Sequence, residues 1–250
     1  MDIVFTVYAG ILGAILGSFY NVVGLRIPKK DSIATPPSHC TSCDRRLGII
    51  DLIPIVSYIF LRGKCRTCGA KVSPIYVVTE LVTAMLFAFA TWHFGLSWEL
   101  AVALLFISLL VIINVSDIAY MLIPNKILLF FLPFLIIGRI LSPLTPWWDS
   151  ILGAVIGFLI LLLIAIVSKG GMGGGDIKLF FLIGLVLGTL QTLLTLFLAA
   201  FIGMIIGIIV LKVQGKGRKT PVPFGPSIAV AAIIVYFYGE EIIAAYWNLF

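Results

Sequence analysis

Eight long apolar runs are the feature that most constrains the fold of this chain. They cover residues 3–25, 75–94, 99–115, 127–141, 151–168, 177–190, 192–211 and 224–246. An apolar helix needs about 17 to 25 residues to cross roughly 30 Å of hydrocarbon. Continuous apolarity indicates helices, because the strands of a membrane barrel alternate between polar and apolar residues. We therefore expect an all-α polytopic membrane protein with about eight transmembrane helices.

The composition excludes most other classes of protein. Hydrophobic residues make up 61% of the chain and charged residues 11%, whereas a soluble domain is about one quarter charged. The mean hydropathy of +1.19 also excludes a disordered chain. Four cysteines are too few for a secreted disulfide scaffold. We attribute the net charge of +6 to membrane orientation, and we expect membrane lipid but no nucleic acid among the partners.

Lysine and arginine positions predict how the chain is oriented. With eight spans and an external N-terminus, segments 26–74, 116–126, 169–178 and 212–223 face the cytoplasm and hold 16 of the 17 basic residues. All five tryptophans then fall at the outer interface: Trp92, Trp98, Trp147, Trp148 and Trp247. The sixth span has only 14 residues and could be re-entrant or continuous with the seventh. Fusing the two would move Lys212, Lys216, Arg218 and Lys219 outside, so we keep both.

All four cysteines lie in the polar insertion 26–74, as Cys40-x-x-Cys43 and Cys65-x-x-Cys68. Two such pairs can surround one zinc ion tetrahedrally, although the 21-residue gap between them is slightly longer than in most zinc ribbons. Two disulfides are the alternative, which a cytoplasmic location disfavours. We expect a structural Zn²⁺ that supplies much of the loop's folding free energy. His39 could replace one ligand, but a surface histidine is the simpler interpretation.

Two acidic residues, Asp117 and Asp176, lie at the inner ends of the third and sixth spans, 59 residues apart. Asp176 follows a glycine run that would let an extended substrate backbone come close: Gly170, Gly171, Gly173, Gly174 and Gly175. If the two carboxyl groups meet, one retains a proton, and the pair has the acid and the base needed to hydrolyse a peptide bond. Taken singly, Asp176 could be only a helix N-cap and Asp117 only an interfacial acid.

Together with other motifs, these residues resemble the type IV prepilin peptidases, a family of bifunctional membrane aspartyl proteases and N-methyltransferases. The motifs are Gly17-Ser18-Phe19-Tyr20-Asn21-Val22-Val23 with Arg26 and Pro28, the cysteine pairs enclosing Asp51-Leu52-Ile53-Pro54 and followed by Glu80, Asp117 with Ile123-Pro124-Asn125, Gly173-Gly174-Gly175-Asp176-Ile177-Lys178, and Pro223-Phe224-Gly225-Pro226. Tyr76-Val77 departs from the family, in which many members have a proline after the tyrosine.

The resemblance implies a function. Asp117 and Asp176 would form the catalytic pair that removes the leader from prepilins and pseudopilins, after a glycine, at the cytoplasmic membrane face. The new N-terminal residue would then be methylated, with S-adenosylmethionine as the methyl donor. Intact cysteine pairs accompany the methylating form of the family, so they favour a bifunctional enzyme. The expected location is the plasma membrane of a prokaryote.

Further site residues are expected on the same basis. Candidates for binding the substrate are Gly173, Gly174, Gly175, Lys178, Pro223, Phe224, Gly225 and Pro226. Lys178 could pair with a substrate carboxylate or only extend to the interface, and the proline-rich segment could line the site or only start a helix. Candidates for binding the cofactor are Asn21, Arg26 and Glu80, each with a packing role as the alternative. No Rossmann-type glycine fingerprint indicates a donor pocket.

These expectations divide the chain into a first transmembrane helix at 1–25, a methyltransferase-associated zinc loop at 26–74 and a peptidase domain at 75–250. Basic residues follow the first run and none precedes it, so we interpret it as an anchor and not a cleaved signal peptide. Two other functions explain part of the sequence. A proton-coupled transporter would use the intramembrane aspartates, and a non-catalytic membrane zinc module would use only the cysteines.

Overall fold

The computed structural model describes residues 3–168, 172–214 and 223–248. Gly170, Gly171, Lys216, Arg218 and Lys219 therefore lie outside the described residues. The described part contains nine α-helices: α1 (Ile3–Arg26), α2 (Val56–Phe60), α3 (Ile75–Phe94), α4 (Trp98–Tyr120), α5 (Asn125–Leu141), α6 (Asp149–Val167), α7 (Gly174–Leu187), α8 (Thr189–Gln214) and α9 (Gly225–Trp247). A 3₁₀ helix, Ile49–Leu52, precedes α2. The prediction of a helical membrane protein is confirmed.

The number of helices that are long enough to cross a membrane unaided is lower than the eight predicted spans. Six helices in the described residues are long and apolar enough to cross a membrane, namely α1, α3, α4, α6, α8 and α9. All eight apolar runs are helical, but α5 has 17 residues and α7 has 14. At 1.5 Å per residue, α7 is about 21 Å long and falls short of the hydrocarbon thickness. The chain turns at Gly188, with φ +80°, before α7 reaches full length.

Prolines and glycines set several helix ends. α3 follows Pro74 and α5 follows Pro124, since proline is tolerated at a helix start, where its missing N–H would have no acceptor. α3 ends at Gly95, whose φ of +62° is open to glycine at little cost. α9 begins at Gly225 and carries Pro226 in its first turn. The segments expected to bind substrate therefore lie at helix starts.

The chain divides into an N-terminal unit, Met1–Val115, and a C-terminal unit, Ser116–Phe250. In the N-terminal unit α1 packs along α3, with Gly13 and Gly17 facing the backbone of α3. The Tyr20 hydroxyl is 2.6 Å from Ser108 Oγ, which joins α1 to α4. The side chain of Phe106 on α4 is fully buried and forms part of this unit's core.

In the C-terminal unit α6 packs closely on α7, and α8 packs on α9. Gly153 and Gly184 lie at the crossing of α6 and α7, where a Cβ built on either glycine would collide with the backbone of the other helix. Small residues bring membrane helices together in this way. Phe180 and Ile183 of α7 are fully buried, so α7 lies in the core of this unit.

Candidate active site and candidate metal centre

The Asp117 side chain is fixed by a backbone donor. It lies on the last turn of α4 and is 6% exposed. Its Oδ2 accepts a 2.7 Å hydrogen bond from the Gly225 N–H, 108 residues along the chain. That N–H has no partner within α9, because the first four N–H groups of a helix are left without acceptors. The start of α9 therefore orients a carboxylate on α4.

Asp176 lies in the first turn of α7 and is held near the same place. Its N–H donates to Gly173 O at 3.1 Å, which closes the turn that starts the helix. The Asp176 carboxyl group is close enough to Asp117 for the two to interact electrostatically. The fold thus brings together the two acidic groups that the sequence places 59 residues apart.

The glycines around the two carboxyl groups have different surroundings. A Cβ on Gly225 would lie 2.7 Å from Asp117 Oδ2, and one on Gly173 would lie 3.0 Å from Asp176 Oδ2. A Cβ on Gly175 would lie 2.6 Å from Ile123 Cβ, whereas one on Gly174 would meet nothing within 4 Å. Gly225 and Gly173 therefore leave room for the carboxyl groups themselves, Gly175 leaves room for packing, and Gly174 is open.

Lys178 is engaged with Asn125, a contact that sequence reasoning did not find. Its Nζ donates to Asn125 Oδ1 at 3.0 Å and ties α7 to the start of α5. Both side chains line a groove of about 320 Å³ between α5, α6 and α7. The remaining lining is apolar: Leu128, Leu129, Leu132, Phe158, Phe181 and Leu182. The groove thus combines one ammonium group with an apolar wall.

The proline-rich segment surrounds the Asp117 donor. Gly225 is buried, while Pro223, Phe224 and Pro226 are half-buried. A Cβ on Gly203 of α8 would lie 3.0 Å from Phe224 Cε2, so the Phe224 ring packs against α8. Phe224 is also the N-cap residue of α9. The segment therefore fixes the start of α9, and with it the Gly225 N–H.

The four cysteines form one cluster, in which all four Sγ atoms lie within 4.8 Å of one another. All four thiols are free, and the 3.8 Å between Cys40 Sγ and Cys68 Sγ is far longer than a disulfide of about 2.05 Å. Four sulfurs at about 2.3 Å from a tetrahedral zinc ion would be about 3.8 Å apart. The arrangement can hold a metal ion and leaves no coordination position open for water.

Each cysteine pair is presented by the same turn. The N–H of Cys40 donates to Arg45 O at 2.9 Å, and the N–H of Cys65 donates to Ala70 O at 2.8 Å. The residue after the second cysteine has positive φ in both turns, +52° at Asp44 and +71° at Gly69. Bridges join His39 to Arg46 and Lys64 to Lys71 across the two turns. His39 is thus a neighbour of the cluster and not one of its four ligands.

Asp51 links the two turns, a role that sequence reasoning missed. Its Oδ2 is 2.6 Å from Arg45 Nη2 and its Oδ1 is 3.1 Å from Arg66 Nε. The Gly48 N–H also donates to Oδ2 at 3.1 Å. The pKa of Asp51 is lowered, first by the Gly48 N–H and then by the two arginines. An arginine two residues after Cys43 and another directly after Cys65 were the available signal, but spacing could not pair them with this acid.

The thiols differ in their readiness to become thiolates. Backbone hydrogen bonds, first from Cys68 and then from Thr67, lower the pKa of Cys65 to about 6. Hydrogen bonds from Ser42 and Cys43 lower the pKa of Cys40. The pKa of Cys43 is raised to about 11, because desolvation and the neighbouring sulfurs outweigh a backbone hydrogen bond at Arg45 that lowers it. In each turn the first cysteine is therefore the one whose pKa is lowered, which favours the thiolate form that binds metal.

Asn21, Arg26 and Glu80 each hydrogen-bond to the protein backbone. Asn21 Nδ2 donates to Gly17 O and Tyr76 O, both at 3.2 Å, while its Oδ1 is buried and has no hydrogen-bond partner in the described part of the chain. Arg26 Nη1 donates to Ser32 O at 3.0 Å. Glu80 Oε2 accepts the Ile55 N–H at 2.7 Å. Asn21 is 1% exposed, so its Oδ1 is an acceptor enclosed by the protein.

Fold and site together define a helical membrane protein with a carboxyl pair at helix ends and a four-cysteine centre. The family model described as Bacterial Peptidase A24 N-terminal domain matches residues 11–94, and the model described as Type IV leader peptidase family matches residues 104–208. No solved structure matches the chain.

Curated relatives match over nearly the whole chain. A prepilin leader peptidase/N-methyltransferase of Bacillus subtilis (strain 168) is 49% identical, over 94% of this chain and 95% of the relative. Proteins of the same name from Stutzerimonas stutzeri and Pseudomonas aeruginosa are 32% and 31% identical, over 97% and 94% of this chain and 93% and 91% of the relatives. The chain belongs to the type IV leader peptidase family.

Family membership and the six candidate spans indicate a multi-pass protein of the inner membrane. The resemblance stated from the motifs is confirmed, and so is the class of enzyme, a peptidase combined with a methyltransferase. Neither the transporter nor the non-catalytic zinc module is favoured by these relatives.

Proposed function

We propose that this chain removes the leader peptide from prepilins by water attack between Asp117 and Asp176, and then N-methylates the new N-terminus. The observation that carries the proposal is the pairing of these two carboxyl groups at the ends of α4 and α7, within electrostatic range of each other. The relatives named above are prepilin leader peptidase/N-methyltransferases, so the substrates are prepilins, with pseudopilins as close analogues.

We assign the two roles from the short hydrogen bond that Asp117 accepts. Asp117 accepts the Gly225 N–H at 2.7 Å, and a backbone donor stabilises the ionised form of a carboxyl group. Asp117 is therefore the base that takes a proton from water, while hydroxide forms a bond to the carbonyl carbon. Asp176 is the acid that donates its proton to the carbonyl oxygen. When the C–N bond breaks, the proton held by Asp117 passes to the leaving nitrogen, and a hydroxyl group on the same carbon returns a proton to Asp176 as the C=O bond forms again.

The groove beside Lys178 supports entry of the substrate from the bilayer. Its lining residues on α5 are Asn125, Leu128, Leu129 and Leu132, which recur at helical spacing and form one face. The apolar helix of a prepilin would lie along this wall while its polar leader remains in the cytoplasm. Lys178 would pair with a substrate carboxylate, and residues 173–175 and 223–226 would position the backbone of the scissile bond.

The four cysteines hold a structural zinc ion in this proposal. The spacing of the sulfur atoms fits the ion, and the two lowered thiol pKa values fit thiolate ligands. The loop 26–74 then serves methylation, residues 1–25 anchor it, and residues 75–250 form the peptidase. S-adenosylmethionine, when bound, supplies the methyl group. Asn21, Arg26 and Glu80 are the candidates for residues that would hold the cofactor.

We place the N-terminus outside the cell, with the aspartates and the cysteine loop in the cytoplasm. Sixteen of 17 basic residues fall on that side when the eight apolar runs are counted as crossings. A reporter fused after Val72 and another fused after Leu96 would test the orientation. A cytoplasmic signal from the Leu96 fusion would contradict it.

Asp117→Asn and Asp176→Asn test the proposed chemistry. Each substitution should lower prepilin cleavage by at least about 1,000-fold, because neither acid nor base can act alone. Purified full-length enzyme in detergent is incubated with a prepilin, and mass spectrometry reports the released leader and the added methyl group. Methylation of an already cleaved pilin should persist in both variants.

Glu241→Gln is the matched control, because Glu241 is an exposed acid on α9. It should cleave at the parent rate. Cleavage retained in either aspartate variant would overturn the assignment, and so would an equal loss of methylation in a variant that unfolds at the parent temperature.

A further inference from the structure

An exposed apolar surface lies on the cysteine loop, outside the helices that are long enough to span a membrane. It consists of Ile49, Ile50 and Ile53 around the 3₁₀ helix, and Val56, Ile59 and Phe60 on α2. We call it the loop apolar face. Ile49 is 86% exposed, Phe60 is 82% exposed and Ile59 is 65% exposed. Soluble surfaces rarely expose a cluster of this kind unless it meets a membrane or a partner.

The short helix α2 exposes its apolar side to the outside of the loop and turns its hydroxyl-bearing side inward. Its three aliphatic and phenyl side chains, Val56, Ile59 and Phe60, recur at helical spacing and point away from the loop. Ser57 and Tyr58, on the other side of the helix, are half-buried. A loop surrounded by water would bury the first set and expose the second. The orientation of α2 indicates that its outer surroundings are apolar.

A hydrogen bond fixes this segment at membrane depth. α3 has 20 residues, so at 1.5 Å per residue its whole length of about 30 Å is needed to cross the hydrocarbon. Glu80 is the sixth residue of α3, about 7.5 Å from its start. Because Glu80 Oε2 accepts the Ile55 N–H at 2.7 Å, the turn between the 3₁₀ helix and α2 reaches below the membrane surface.

The backbone at Ile55 adopts an uncommon conformation that allows its N–H to reach Glu80. Ile55 has φ +64° and ψ −52°, and the Val56 N–H donates to Pro54 O at 2.5 Å, which together make a γ-turn. A β-branched residue at positive φ is strained and persists only where its surroundings hold it. The turn points the Ile55 N–H at α3 and reverses the chain, so that apolar side chains flank it on both sides.

Basic residues near this face complement a lipid surface. Arg46, Arg62, Lys64 and Lys71 are exposed, and none has a carboxylate partner within the described ranges. The segment 26–74 carries nine basic and three acidic residues. Anionic headgroups attract such clusters next to a membrane helix, and an apolar partner protein would not need them.

We infer that the loop apolar face inserts into the headgroup region of the adjacent bilayer leaflet, with the neighbouring lysines and arginines against anionic lipid phosphates. The cysteine loop is then held at the membrane surface by its hydrogen bond to Glu80 of α3 and by lipid under α2. This binding site for an anionic lipid surface is independent of the proposed peptide cleavage.

Phe60→Trp tests the insertion in full-length protein reconstituted in nanodiscs of phosphatidylglycerol and phosphatidylcholine. Fluorescence of the added indole, after subtraction of the parent spectrum, is compared between ordinary lipids and lipids brominated on the acyl chains. We expect bromine to quench Trp at position 60 by about half, since an interfacial apolar face lies about 5–10 Å into the headgroup boundary. Ile59→Trp, on the same face, should be quenched equally. It provides the test if Phe60→Trp does not fold.

Tyr58→Trp is the matched control, because it replaces one aromatic residue by another on the opposite side of α2. It should be quenched by less than a quarter as much as position 60. Equal quenching at the two positions, or none at position 60, would overturn the inference. Quenching at position 60 only after a prepilin is added, or only when two chains share a nanodisc, would overturn it in favour of a protein occupant.

A second experiment varies the charge of the lipid. Quenching at position 60 should decrease at least about twofold in nanodiscs made only of phosphatidylcholine, because the basic residues then lose their partners. Arg62→Gln with Lys64→Gln should reproduce that decrease in the mixed lipids. The same quenching in both lipids would overturn the role of the anionic phosphates.

Discussion

In the cysteine loop, four sulfur atoms come from one 29-residue stretch, Cys40 to Cys68, and two copies of the same turn present them. The two aspartates are 59 residues apart on different helices, and a Cβ on Gly225 or Gly173 would crowd their carboxyl groups. In the proposed function the loop depends on a bound ion and on local hydrogen bonds. The aspartate site depends on helix packing. The cysteine loop should therefore unfold as a unit when its ion is removed. The aspartate site should lose activity through a displacement of less than an ångström.

The largest effect is expected at the aspartate site from a single methyl group. Gly225→Ala would place a Cβ 2.7 Å from Asp117 Oδ2 and move the carboxylate out of reach of its donor. We expect prepilin cleavage to fall at least about 100-fold, since small misplacements of catalytic groups are costly. Leader release and thermal unfolding are measured together. Gly207→Ala is the control, because nothing lies within 4 Å of its Cβ. Normal cleavage by Gly225→Ala would show that packing does not orient Asp117.

Removal of the metal tests whether the cysteine loop depends on an ion that the aspartate site does not need. Cys40→Ser, Cys65→Ser or a strong chelator should lower methylation at least about tenfold while cleavage stays within about threefold, because the loop folds around its ion and the peptidase helices do not. Mass spectrometry of one pilin reports both activities. An equal loss of both in a protein that remains folded would argue against separate sites.

A smaller effect is expected from the ion pairs that join the two cysteine turns. Asp51→Asn removes the negative charge that Arg45 and Arg66 share. We expect metal affinity to fall about tenfold, as for other residues that orient ligands without binding the ion. Competition with a chromogenic chelator measures it. Asp31→Asn, at an exposed acid of the same loop, should leave affinity unchanged. Unchanged affinity in Asp51→Asn would show that the turns need no link beyond the ion.

The smallest expected effect comes from substitutions at the positive-φ position of each cysteine turn. Gly69 has φ +71° and Asp44 has φ +52° at the matching position. Gly69→Ala should destabilise the loop by about 1 kcal/mol, because alanine tolerates this conformation poorly. Asp44→Gly should be close to neutral, since glycine adopts positive φ freely but is more flexible when unfolded. Hydrogen exchange of the loop amides measures both. A larger cost for Asp44→Gly would contradict the equivalence of the turns.

The glycine run shows how far the sequence could be interpreted. A series of residues without side chains predicts a close approach by another backbone, and we expected the substrate to be what approaches. In the fold, Gly173 lies against the Asp176 carboxyl group and Gly175 lies against Ile123, while Gly174 faces open space. The sequence cannot predict which of these three glycines is crowded and which is open, because that depends on the helix end that packs against each one.

Membrane crossings and the role of Asp51 show the same limit. Hydropathy found every long helix but could not find where α7 stops, since Gly188 turns the chain within an apolar stretch. Asp51 belongs to a recognised motif, yet its arginine partners are six and 15 residues away and became visible only in the folded loop.

The sequence by itself determined the helical membrane class, the four-cysteine cluster and the family, because apolar runs and ligand spacing are local properties that any folded form must satisfy. Only the tertiary structure decided that the Gly225 N–H points at Asp117 and that α2 presents its apolar side outward. Those arrangements depend on contacts between segments far apart in the chain, and no local spacing encodes them.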